Sequence, residues 1–98
     1  MHQTRETILN KLREIKPLLK EKYKLTELAL FGSYARDEQT PQSDIDIMVL
    51  TDRIPFRDYC KMYYFIEEIF ADTKVEIVSK KAIRPKYFER LKKDLIYA

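Results

Sequence analysis

Apolar residues fall at Ile8, Leu12, Ile15, Leu19 and Tyr23, at steps of four, three, four and four. That spacing draws a single stripe along a helix of 3.6 residues per turn. Pro17 lies inside the stripe, and its ring and missing N–H predict a kink or a division near Lys16. The pattern then shortens. Residues 26–31, Thr-Glu-Leu-Ala-Leu-Phe, read as a strand. Ser33 to about Glu38 reads as a short helix, followed by a polar loop through Gln39-Thr40-Pro41-Gln42-Ser43. From Asp44 to Leu50 the alternation is that of a second strand, with Ile45, Ile47 and Val49 on one face. Met48 and Leu50 share the other face with Asp44 and Asp46, which predicts a central strand covered on both sides. Pro55 suits the first turn of a helix whose stripe is Phe56, Tyr59, Tyr63, Ile66 and Phe70. Val75 to Val78 is a third strand, and Pro85 opens a last helix with Phe88, Leu91 and Leu95 facing inward. The expected order is αβαβαβα: an α/β (α+β) fold with a small mixed sheet of three to four strands flanked by helices.

Length and composition narrow the classes. The 98 residues fit one domain spanning 1–98, with 45% hydrophobic residues for a core and 36% charged residues for a hydrated surface. No apolar run approaches the roughly 20 residues of a membrane helix. The opening Met1-His2-Gln3-Thr4-Arg5-Glu6 lacks the apolar segment of a secretory signal, and His2 is expected to lie in a disordered end. A lone cysteine, Cys60, excludes an internal disulfide and fits a reducing compartment. The expectation is a cytoplasmic domain without a membrane partner.

Net charge is only +3, too little to argue for nucleic acid as a direct ligand. Its distribution is uneven. Residues 1–25 carry seven Lys or Arg against three acids, 26–79 five against eleven, and 80–98 seven against two. An acidic middle between basic ends can serve as a cation site flanked by groups that attract phosphate. Solvated helix faces give the same pattern, so charge leaves both readings open.

Candidate chemistry gathers where the acids interrupt the pattern. Gly32 is the only glycine, placed between the apolar run Leu28-Ala29-Leu30-Phe31 and a helix start at Ser33. Glycine there lets backbone approach a ligand, and the free N–H groups with the Ser33 hydroxyl can hold a phosphate. A plain strand-to-helix turn capped by Ser33 is the alternative. Asp44 and Asp46, two apart on a strand, point to the same side. Two carboxylates so placed repel unless a cation or proton lies between them. Strand interiors are poor in Asp, and magnesium takes one or two carboxylates plus phosphate oxygens. Alternatively, both acids sit in the solvated loop before the strand. Glu76 alternates away from Val75 and Ile77 and can reach the same face if the third strand lies beside the second. It is a candidate metal ligand or base, or an outward acid on an edge strand. Arg36 stands one turn after Ser33 and can fork onto triphosphate oxygens or pair with Asp37 or Glu38. The seven tyrosines read as packing or partner contacts, with Tyr34, beside Ser33, the one nearest the chemistry. Lys80, Lys81 and Arg84, after the Glu76 strand, read as a solvated loop, with an approach to the nucleotide as the alternative.

Leu30-Phe31-Gly32-Ser33-Tyr34-Ala35-Arg36, then ten residues from Tyr34 to Ser43, then Asp44-Ile45-Asp46, resembles the Gly-Ser…Asp-x-Asp signature of the DNA polymerase beta-like nucleotidyltransferases. The short length and flanking helices resemble its minimal nucleotidyltransferase (MNT) branch. The resemblance implies two magnesium ions held by Asp44, Asp46 and a third acid, with Gly32 and Ser33 on the triphosphate of ATP. It departs from the family at Asp37, where a glycine is common, and at Glu76, where the third acid is usually Asp. Larger enzymes of this kind carry an acceptor-binding domain, so the acceptor here is expected from another molecule. Stand-alone MNT proteins are commonly antitoxins that transfer AMP to a tyrosine of a HEPN ribonuclease toxin, in a hetero-oligomer. The alternatives are a binding module that neutralises its partner by contact, and an enzyme acting on a small-molecule hydroxyl such as an aminoglycoside.

Overall fold

The computed structural model describes residues 3–98, so the reading of His2 lies outside the described residues. Helix α1 (Arg5–Tyr23) starts at a reciprocal cap. The Thr4 hydroxyl accepts from the Thr7 N–H at 3.1 Å, and the Thr7 hydroxyl accepts from the Thr4 N–H at 2.9 Å. All five residues of the expected stripe are buried. The expected division at Pro17 does not occur: α1 runs unbroken through it. Ile15 and Leu19, on either side of the proline, are both buried against the sheet, and tertiary packing of this kind outweighs one missing hydrogen bond. The helix stops at Lys24, whose left-handed φ of 55° turns the chain into β1.

Strands β1 (Leu25–Phe31), β2 (Ile45–Thr51), β3 (Val75–Ser79) and β4 (Ile96–Tyr97) form one mixed sheet in the order β3-β2-β1-β4. β1 and β4 are antiparallel, β1 and β2 antiparallel, and β2 and β3 parallel. Ile45, Ile47 and Val49 face α1 and α3 (Phe56–Ile69), where Leu12, Leu19, Met62, Ile66 and Phe70 complete the main core. The opposite face is covered more thinly. There Ala29, Phe31 and Met48 pack on Leu91 of α4 (Pro85–Leu91), with Phe88 and Leu95 at the rim. β2 is therefore the doubly covered central strand that its sequence implies.

Three details differ from expectation. α2 is a single turn, Gly32–Ala35, rather than a helix to Glu38. Phe56, the first residue of α3, is 82% exposed, whereas Met62, which the expected stripe leaves out, is buried in the core. The last helix ends at Leu91, and Ile96 and Tyr97 pair with Leu30 and Ala29 as a fourth strand that extends the αβαβαβα order. Among the described residues no helix is long and apolar enough to cross a membrane.

Candidate active site

Gly32 sits at φ +78°, and a Cβ added there would collide with the Asp46 carboxylate. Glycine is thus needed twice, for the left-handed turn and for the approach of backbone to carboxylate. The register explains why the two meet. Phe31, the last residue of β1, lies opposite Asp46 on β2, so the turn that follows folds over the Asp46 side chain. Ser33 follows directly, half-buried at the start of α2. A second left-handed residue, Asp37 at φ 60°, closes the turn after α2. Asp is among the few side chains that tolerate this conformation, so the missing family glycine does not disturb the turn.

On the far side of β2, Glu76 of β3 is the register partner of Asp46, and the parallel pairing puts both on one face. Asp44 precedes β2 by one residue and Lys74 precedes β3 by one. Lys74 Nζ lies 3.8 Å from Asp44 Oδ2 and 3.9 Å from Glu76 Oε1. Asp44 and Asp46 are half-buried, whereas Glu76 is exposed on its edge strand. Burial pushes the Asp46 carboxyl up to about 6, and the charges of Glu76 and Asp44 push in the same direction. Arg36 pulls it partly back. Such a carboxylate lacks a counter-charge of its own.

These donors fit a hard divalent cation: they are carboxylate oxygens, with neither sulfur nor imidazole beside them. Among the described residues, however, no three acidic, histidine or cysteine side chains already close on one point as a ligand set. The cation would draw them in and would need further oxygens, which phosphate and water supply. Arg36 is otherwise engaged. Its Nη1 donates to Asp94 Oδ2 at 2.7 Å and its Nε lies 3.5 Å from Glu38, so it pairs with Glu38 but not with Asp37. Those bonds, the one to Asp94 foremost, raise the guanidinium's pKa further. Asp94 lies 58 residues away, beyond the reach of a local pattern.

Tyr34, the tyrosine nearest the site, is buried in the main core. Cys60 is a free, half-buried thiol on α3. Lys80 is held by Glu27 at 3.1 Å and lies over the Phe88 ring, so it is structural rather than a solvated loop residue. Lys74 is the site residue that sequence reasoning missed. The signal was available: two residues before Glu76, it shares the Glu76 face of the strand.

A glycine-serine turn folded on paired carboxylates, at the end of a mixed sheet flanked by helices, is the architecture of a nucleotidyl-transfer domain. The model of the nucleotidyltransferase domain family matches residues 12–98, and the chain belongs to that family. It is 46% identical over 90 residues to an inferred protein adenylyltransferase of Methanocaldococcus jannaschii, a match covering 88% of this chain and 89% of the relative. The fold is that of a solved structure described as an inferred minimal nucleotidyltransferase, with TM-score 0.81, 24% identity, and 97% and 96% of the two chains covered. It is also that of a structure of a tri-AMPylated Shewanella oneidensis HEPN toxin in complex with an MNT antitoxin, with TM-score 0.63, 22% identity and coverage of 92% and 70%.

Proposed function

We propose that this chain is a magnesium-dependent protein adenylyltransferase antitoxin that transfers AMP from ATP to a tyrosine hydroxyl of a HEPN ribonuclease toxin in the cytoplasm. The observation that carries the reading is the packing of the Gly32 turn on Asp46, with Asp44 and Glu76 flanking that carboxylate. The 46% identity to the Methanocaldococcus protein supports the activity, and the complex of the Shewanella HEPN toxin with an MNT antitoxin supports the acceptor.

Each residue has a role that its position supports. Gly32 and Ser33 hold the triphosphate, through the backbone N–H groups of the turn and the Ser33 hydroxyl. Asp44, Asp46 and Glu76 are the ligands of two magnesium ions. Those ions, when bound, neutralise charge on the entering and leaving oxygens. The tyrosine oxygen attacks the α-phosphorus in line, a new P–O bond forms, and the bond to the bridging oxygen breaks. Pyrophosphate leaves on the Gly32 side, and the phenolic proton passes to a carboxylate of the site or to water. Glu76, exposed and next to Asp46, is placed either to ligate or to take that proton. Arg36 is shared between the triphosphate and Asp94, whose carboxylate holds its Nη1.

Co-expression with the HEPN partner tests the reading. Wild type restores growth, whereas Asp44→Asn and Asp46→Asn bind the partner but leave it toxic. Full protection by both variants would favour neutralisation by contact.

A further inference from the structure

Beside the site lies a polar cleft of about 690 Å³ that the phosphate and carboxylate roles leave unused. It is walled by Gln3 and Thr4 at the start of α1, by Tyr34 of α2, by the loop 39–43 and by residues 72–74 before β3. It shares Asp44 with the proposed metal site, while Gly32, Ser33, Arg36, Asp46 and Glu76 do not line it.

Direction decides what such a cleft can take. The Gly32 turn follows β1 and closes on one flank of Asp46; β3, with Lys74 and Glu76, lies on the other flank of β2. In-line displacement requires the entering oxygen to approach opposite the leaving group. If pyrophosphate departs over Gly32 and Ser33, the hydroxyl arrives from the Asp44–Lys74 side, where the cleft opens. Its chemistry suits a peptide better than a phosphate. Most of the polar wall is amides and hydroxyls, among them Gln3, Gln39, Thr40, Gln42 and Thr73, groups that pair with main-chain N–H and C=O; its one cation, Lys74, is offset by Asp44 and Asp72. Gln39 Oε1 is buried without a hydrogen-bond partner, an acceptor left unsatisfied until a donor arrives. The loop carrying it is pre-set: Thr40 N–H donates to Ser43 Oγ at 2.8 Å, and Ser43 N–H donates back to Thr40 O at 3.0 Å.

We infer that this cleft is the acceptor subsite, in which Gln39 and its neighbours grip the main chain of the tyrosine-bearing segment and present the phenol oxygen beside Asp44. The inference rests on the adenylyl-transfer reading and adds where the protein acceptor lies. Gln39 and Gln42 are positioning residues here, since they touch the peptide and not the reacting atoms.

The test uses the Gln39→Ala/Gln42→Ala double variant, with its melting temperature checked against wild type. Transfer from ATP to the purified HEPN partner is followed by intact mass, and affinity for a non-hydrolysable ATP analogue with magnesium by calorimetry. The expected result is a KM for the acceptor raised at least about fivefold, the lower end of what one lost buried partner produces, with analogue affinity unchanged. A photo-crosslinking residue at Gln42 should also capture the segment that carries the AMP-modified tyrosine. Weaker analogue binding with an unchanged acceptor KM would assign the cleft to the nucleotide and overturn the inference. An unchanged KM with crosslinks elsewhere would overturn it as well. Absence of transfer by wild type would instead remove the underlying reading.

Discussion

At the scale of single residues, the account turns on Asp46 and on the glycine that faces it. An isolated Asp titrates near 3.9, whereas Asp46 is held at about 6 by burial and by Glu76 and Asp44. The folded state therefore binds this proton more tightly than the unfolded state. This contribution to stability is complete below about pH 4 and is lost as pH rises through about 6. Asp46→Asn removes the loss. In metal-free buffer at pH 7.5 the variant should be more stable than wild type by about 1 kcal/mol, after discounting for the solvent that reaches the group. The gap should close near pH 4, and melting curves in a chelator at both pH values check it. Transfer activity should fall by about two orders of magnitude or more, as for loss of a group that acts in the transition state. Gly32→Ala should cost about 1–3 kcal/mol for the left-handed backbone and displace the Asp46 carboxylate as well. Chemical denaturation and nucleotide binding should both report it. Much of this site was legible in the sequence. The Gly-Ser turn, Asp46 and Glu76 stand where their spacing put them, because strand alternation and a lone glycine are local signals, whereas Asp44 was read as the first residue of the strand and lies one residue before it. Lys74 was equally local yet went unread, and the Arg36–Asp94 pair was not local at all.

At the scale of elements, the helix and strand stripes that carry the main core were readable because each element buries one face for its whole length. The exceptions share a cause. Pro17 was overruled by the packing of its neighbours, and β4 is two residues long and owes its existence to the edge of β1. Phe56 matched the stripe but, as the first residue of α3, is exposed. Two consequences concern the ends of α1. Thr4→Ala breaks the reciprocal cap and should destabilise by about 1 kcal/mol. Lys24 holds φ 55°, where a side chain costs roughly 1–2 kcal/mol. Lys24→Gly recovers that strain but loses roughly 0.5–1 kcal/mol to backbone entropy, so a net gain of up to about 1.5 kcal/mol is expected. Urea midpoints of the two variants should move in opposite directions.

At the scale of the whole molecule, nearly all of the sheet and its covering helices is spent on building and supporting one end of β2. The thin layer of α4 over Met48 and Phe31 leaves the carboxylates within reach of solvent, and the Arg36–Asp94 bond ties that layer to the site. A cation that binds only the folded chain must stabilise it. Magnesium at about a hundred times its dissociation constant should contribute roughly 2.7 kcal/mol. The gain should disappear in Asp44→Asn and in Asp46→Asn, which thermal melts with and without magnesium will show. The acceptor is expected from a second protein, so the most direct measurement joins the two. Purified HEPN partner is incubated with this chain, ATP and magnesium, and its intact mass is recorded. The account predicts the addition of one or more AMP groups on tyrosine, dependent on magnesium and absent with Asp46→Asn. An unmodified partner that the wild-type chain nonetheless silences would contradict it.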